Sequence, residues 1–82
     1  PKLPSGNAAD IRPNLPSIHG ANTVLYKYSD GTYHIAHVES YNLNGGYFIE
    51  RGSNKEPCKS YTRKVYLNST EVNRYLLGFA RY

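Results

Sequence analysis

Asp30-Gly31 stands between two runs rich in β-branched and aromatic residues, Thr23-Val24-Leu25-Tyr26-Lys27-Tyr28 and Thr32-Tyr33-His34-Ile35-Ala36-His37-Val38-Glu39-Ser40-Tyr41. An Asp-Gly pair supplies the positive backbone angles of a tight hairpin turn, and the flanking residue types suit a pleated, half-buried surface. The two runs are therefore predicted to form an antiparallel hairpin. Asn42-Leu43-Asn44-Gly45-Gly46 reads as a second turn and Tyr47-Phe48-Ile49-Glu50-Arg51 as a third strand. Gly52-Ser53-Asn54-Lys55-Glu56-Pro57 reads as a polar loop, because Pro57 has no N–H to give to a ladder. A fourth strand is expected from about Ser60 to Leu67, with Tyr61, Val65 and Tyr66 as its bulk.

The hydrophobic period then changes. Val72, Tyr75 and Leu76 are spaced i, i+3, i+4, as on one face of a helix. Asn68 and Glu71 sit three apart, as in a capping box, and Gly78 stands where a glycine would end the helix. A short helical stretch is thus predicted over residues 69–77. Asn68-Ser69-Thr70 also fits a glycosylation acceptor, but its place at a helix start favours the cap. Phe79-Ala80-Arg81-Tyr82 reads as a last short strand or an end that packs back on the sheet. Five or so short strands in this length point to a mostly β domain, a small sandwich or barrel, because small sheets close or fold over to hide their edges.

Residues 1–21 look different. They hold four of the five prolines and scattered apolar residues without a period. Such a stretch buries too little surface to offset its ordering entropy and is expected to be a flexible tail, leaving residues 22–82 as one domain. A domain so small is marginal without help. Cys58 is the only cysteine, so no internal disulfide is available, and nine tyrosines must supply the buried bulk.

The chain's net charge is +4, and the tail's Lys2, Arg12 and Asp10 account for one of those charges. This mild basic bias is compatible with an acidic partner. No run of about 18 apolar residues exists, so no membrane span and no membrane partner are expected. The chain begins at Pro1 without Met, which reads as a mature or trimmed form.

Few residues suggest catalysis. His34 and His37 are three apart in a strand, so their side chains diverge; with one cysteine and no convergent carboxylates, neither a metal site nor a cofactor is expected. The ordinary reading is one half-buried and one surface histidine. A ribonuclease would need a histidine, an acid and an arginine on one sheet face, and the pieces exist: His34 or His37, Glu39 or Glu50, Arg51 or Arg63. No local motif assembles them. Cys58, with Lys55 and Lys59 near it, lacks a paired base and reads as structural rather than nucleophilic. The tyrosines are the most distinctive feature. Tyr26, Tyr28, Tyr33 and Tyr47, interleaved with Lys27, Arg51, Arg63 and Lys64, are the candidate binding residues, against the plainer reading that most tyrosines pack the core. An aromatic, basic surface of this kind suits a protein partner, stacked bases with their phosphates, or a methylated lysine.

Tyr28-Ser29-Asp30-Gly31 at a central turn, followed 27 positions after Gly31 by Cys58, resembles the pattern of the MAX effectors, the Magnaporthe avirulence and ToxB-like secreted fungal proteins. The resemblance covers about Thr23 to Leu67 and is one of pattern and spacing. It implies a small β-sandwich of about six short antiparallel strands in two three-stranded sheets, here with a short C-terminal helical turn. It also implies a non-enzymatic avirulence-type protein, secreted by a fungus and entering plant cells. There it binds a host plant protein, such as a small metal-binding-like domain or an immune receptor domain, by adding a strand at a sheet edge. Two features depart from the pattern. No cysteine occupies Thr23-Val24-Leu25, which leaves Cys58 as an unpaired relic of a bridge or a link between two otherwise monomeric chains, and residues 69–77 add a helix. An SH3- or Tudor-like small barrel binding nucleic acid or a modified peptide is the alternative, and a small ribonuclease toxin a third reading.

Overall fold

The structure, a computed structural model, describes residues 12–54 and 59–82. Five strands and one helix follow in chain order: β1 (Thr23–Lys27), β2 (Tyr33–Asn42), β3 (Tyr47–Asn54), β4 (Lys59–Tyr66), α1 (Thr70–Tyr75) and β5 (Leu76–Ala80). All neighbours are antiparallel, in the order β4-β3-β2-β1-β5. The fold is mostly β, as the alternation of the sequence predicts. Asp30-Gly31 makes the first turn, with Gly31 at φ 88° and the Asp30 carboxylate accepting from the Thr32 N–H at 3.0 Å.

The expected pair of separate three-stranded sheets gives way to one five-stranded sheet. The reason lies in β2. Its first half, Tyr33 to His37, pairs with β1, and its second half, His37 to Asn42, pairs with β3. A register shift between Val38 and Ser40 separates the halves. Such an extra residue bends the strand and increases its twist. Three strand spacings of about 4.8 Å would put β3 and β5 some 14 Å apart in a flat sheet. Instead Phe48 on β3 and Phe79 on β5 meet edge to face with ring centroids 5.6 Å apart. The sheet is curled so that its two ends share one interior.

That interior is divided along its length. At one end lie Val24, Phe48, Val65, Val72 and Phe79, all buried. Two residues further along the same strands come Tyr26, Glu50 and Arg63. A smaller cluster on the other face joins Leu25 and Ala80 with Ile35 and Tyr82. Each fully buried side chain of this size contributes roughly 1.5–3 kcal/mol of apolar transfer.

The segment read as tail departs from expectation over residues 12–21. Ile18 is buried in the core at 4% exposure. Leu15 bridges to Phe79, with its N–H on the Phe79 carbonyl at 3.2 Å. Asn14 exchanges hydrogen bonds with the Arg81 backbone at 2.9 and 3.1 Å. Two apolar anchors, Leu15 and Ile18, suffice without a period because the curled sheet leaves an opening over β5 for them. Residues 1–11 and Cys58 lie outside the described residues.

Two further boundaries differ. β3 continues through Gly52 and Ser53, where a loop was expected, because Tyr61 and Ser60 stand opposite to pair with them. Ser69 rather than Asn68 caps α1, its hydroxyl accepting from the Val72 N–H at 3.3 Å. Gly78 lies inside β5 and not beyond a helix end.

Candidate functional site

Glu50 has 0% exposure although it is a carboxylate in a small domain. It faces the interior because β3 alternates, with Phe48 and Glu50 inward and Tyr47, Ile49 and Arg51 outward. Burying an unpaired charge would be prohibitive, and Glu50 is fully paired. Its Oε1 accepts from the Tyr26 hydroxyl at 2.5 Å and from Arg63 Nη2 at 3.4 Å. Its Oε2 accepts from the Tyr61 hydroxyl at 2.6 Å and from Arg63 Nε at 3.0 Å. The Tyr61 proton is committed to Glu50, so His34 Nε2, 2.6 Å from the same hydroxyl oxygen, is the donor in that contact. A relay of hydrogen bonds therefore runs from His34 through Tyr61 to Glu50.

Arg63 extends the network outward. Its Nη1 lies 2.9 Å from Glu71 Oε1, and its Nη2 donates to Glu71 Oε2 at 3.2 Å. Tyr28 donates to the same carboxylate at 3.4 Å. The guanidinium carbon stands 5.9 Å from the Tyr26 ring centre and 5.8 Å from that of Tyr61. Burial alone would raise the Glu50 pKa, but the hydrogen bonds from Tyr26, Tyr61 and Arg63 and the guanidinium charge outweigh it and hold it below the ordinary carboxylate value. Tyr26 and Tyr61 move the opposite way, above the ordinary phenol range, first through burial and then through their bonds to the Glu50 anion. Tyr28 rises as well, through burial and the Glu71 charge.

The outer face carries a second cluster. Lys64 Nζ lies 4.3 Å from the Tyr47 ring centre and 5.8 Å from that of Tyr66. Tyr47 and Tyr66 are cross-strand partners with rings 5.9 Å apart. Arg51, on the same face, pairs with Glu39 at 2.7 Å. Asn22, His37, Val38, Glu39 and Arg51 line a shallow cleft there.

The candidate binding residues thus fall into three groups. Tyr26, Tyr28 and Arg63 belong to the interior network. Tyr47, Arg51 and Lys64 share the outer face of β3 and β4. Lys27 and Tyr33 form a separate pair, with Nζ 5.4 Å from the ring centre. Tyr26 is corrected from a surface anchor to a core residue at 0% exposure, since its position two after Val24 points it inward. Tyr66, Tyr61 and Glu71 complete the two clusters; the sequence marks Tyr61 and Tyr66 only as strand bulk and Glu71 only as a cap residue. The cross-strand register that joins them was not readable from the chain.

The ribonuclease pieces do assemble: His34, Glu50 and Arg63 meet in one place, and His37, Glu39 and Arg51 in another. The first set is chemically poor for that task. Glu50 is saturated, buried and held low, so it has neither access nor basicity to take a proton. His34 and His37 are both half-buried, on opposite faces of β2. Among the described residues, no group of three His, Cys, Asp or Glu side chains comes together as a metal site. No known protein family, characterised protein or solved structure matches the chain.

Proposed function

We propose that this chain is a non-enzymatic interaction domain, a secreted fungal effector of the MAX type, that binds a host plant protein by accepting one of its strands along the outer edge of β4. The plant cell is its place of action, and a plant immune receptor domain is among its partners. The observation that carries this reading is the inequality of the two sheet edges. At the β5 edge Asn14 and Leu15 bond the Phe79 carbonyl in an isolated bridge, whereas among the described residues β4 pairs with β3 alone.

The composition of β4 fits such a role. Its sequence, KSYTRKVY, carries three basic residues and no acid. Backbone pairing gives an added strand its affinity, and side-chain anchors give it specificity. Tyr66 at 49% exposure, with Lys64 and Tyr47, supplies the anchors and selects an acidic, aromatic-tolerant strand. No helix among the described residues is long and apolar enough to cross a membrane.

Amide exchange tests the reading. The full chain, mixed with a protein captured from host plant extract, should gain protection along β4 and lose its affinity when Lys64 and Tyr66 are replaced together by Glu and Ala. Protection confined to β1 or β2 would refute edge pairing. Salt separates the barrel alternative: affinity for nucleic acid falls steeply with salt in proportion to neutralised phosphates, whereas an edge-paired protein complex responds far less.

A further inference from the structure

Asn68-Ser69-Thr70 matches the acceptor pattern of N-linked glycosylation, an asparagine with a hydroxyl residue two positions on and no proline between them. Of the chain's eight asparagines only Asn68 has such a neighbour, so a single substitution removes the pattern. We infer that Asn68 is a modification site that carries an N-linked oligosaccharide on its side-chain nitrogen. Secretion is what brings the chain to the transferase, and the site rests on the effector reading in this one respect.

Capping α1 is the competing role for Asn68, and the structure gives that role to Ser69. The Ser69 hydroxyl accepts from the Val72 N–H at 3.3 Å, with Ser69 itself extended at φ −71° and ψ 159°. A capping asparagine would spend its side-chain oxygen on the first helical turn. Asn68 stands one residue earlier, in a four-residue turn that the Ser69 N–H closes on the Tyr66 carbonyl at 3.0 Å. The Asn68 backbone carbonyl accepts from Asn73 Nδ2 at 3.4 Å. Among the described residues, the Asn68 carboxamide and the Thr70 hydroxyl have no hydrogen-bond partner.

The surroundings leave room for a sugar. Asn68 and Thr70 are both exposed, and so are Tyr66 and Asn73 beside them. A glycan is bulky and hydrophilic and has to project into water. Seating one on Asn68 gives up no bond of the turn, the cap or the core. The transfer itself joins Asn68 Nδ2 to the anomeric carbon of a lipid-diphosphate-linked oligosaccharide. The new C–N bond replaces the C–O bond to the diphosphate, which leaves with the bonding pair, and one Nδ2 proton passes to a base of the transferase.

The test is translation of the full chain behind an added, cleavable secretion leader with endoplasmic-reticulum microsomes, its mass read before and after endoglycosidase H. Because the leader is supplied, a failure here is distinct from a failure of the effector reading, which shows as absence of the natural chain from fungal culture medium. The expected result is the added mass of one core oligosaccharide, removed by the enzyme, lost in Asn68→Gln and in Thr70→Ala, and kept in Thr70→Ser. Ser69→Ala separates the glycan from the cap: it keeps the acceptor pattern and the added mass but lowers the urea midpoint of the unglycosylated chain, whereas Asn68→Gln leaves that midpoint in place. Mass is read on the denatured chain, so no variant has to fold. A chain that stays at its polypeptide mass in microsomes that modify a control glycoprotein, or an added mass that survives Asn68→Gln, would overturn the inference.

Discussion

Tyr61 lies across Gly52, its cross-strand partner, so closely that a methyl group on Gly52 would stand 2.6 Å from the Tyr61 hydroxyl oxygen. That hydroxyl is held on one side by Glu50 and on the other by His34. The ring cannot swing away without giving up both bonds. Gly52→Ala is therefore expected to destabilise the fold by about 1–3 kcal/mol, as overpacking does. Urea denaturation checks the magnitude, and a displaced Tyr61 ring signal checks the cause.

Glu50 makes a second prediction. Glu50→Ala takes the shared acceptor from the Tyr26 and Tyr61 hydroxyls, and a buried polar group left without a partner costs about 1–3 kcal/mol; Arg63 keeps Glu71. Glu50→Gln, which keeps an acceptor for the hydroxyls, should cost less. Denaturation midpoints of the two variants should rank in that order.

The same network dictates how stability responds to pH. Glu50 has a folded pKa below its unfolded value, so its contribution is present above the unfolded carboxylate pKa of about 4.3 and is lost as pH falls through the folded value. Tyr26, Tyr28 and Tyr61 have folded values above the unfolded phenol. Their contribution is present below about pH 10 and is lost as pH rises from there toward the folded values, because the unfolded chain then releases protons that the folded one retains. Thermal melts across pH should fall on both sides, and Glu50→Gln should flatten the acid side.

Ile18→Ala tests whether the segment before β1 belongs to the domain. A buried isoleucine truncated to alanine costs about 2–5 kcal/mol. Had residues 12–21 been a solvated tail, the change would stay within about 0.5 kcal/mol. Chemical denaturation distinguishes the two directly.

Lys64→Glu should leave the fold nearly as stable as before. Lys64 is exposed, and a cation–π contact at such a site is worth about 0.5–1 kcal/mol. Its effect should fall on association with an acidic partner, in the rate of encounter more than in dissociation. Stopped-flow association at two ionic strengths measures it.

Local rules carried much of the architecture. Alternation, Asp30-Gly31 and Asn44-Gly45-Gly46 placed the hairpins, and the Val72, Tyr75 spacing placed the helix, because each signal lies within a few residues; the helix ends at Tyr75, and Leu76 and Leu77, read as its last residues, open β5 instead. Glu50 was not legible as a core residue. An acid in an edge-rich small sheet reads as solvated, and only the register that sets Tyr26, Tyr61 and Arg63 around it reverses that reading. The burial of Ile18 escaped for the same reason, since its partners lie across the sheet on strands far along the chain. The single sheet depends on β2 pairing with both β1 and β3, and its curl on one extra residue near Glu39, a shift that no composition or period announces. Tyr47 and Lys64 share a face because β3 and β4 pair as they do, and strand alternation alone put them only on the right kind of surface.

The Leu15 bridge has a consequence for assembly. A sheet open on both sides is a repeating unit, and each added copy offers a fresh edge to the next, which is the geometry of a fibre. Here one side is taken up by the chain's own N-terminal segment. A second copy that docked on β4 through its own β4 would consume the remaining edge of each molecule. The crossing of Leu15 over Phe79 thus obstructs one side of the sheet at Phe79 and leaves β4 as the side that advertises a strand.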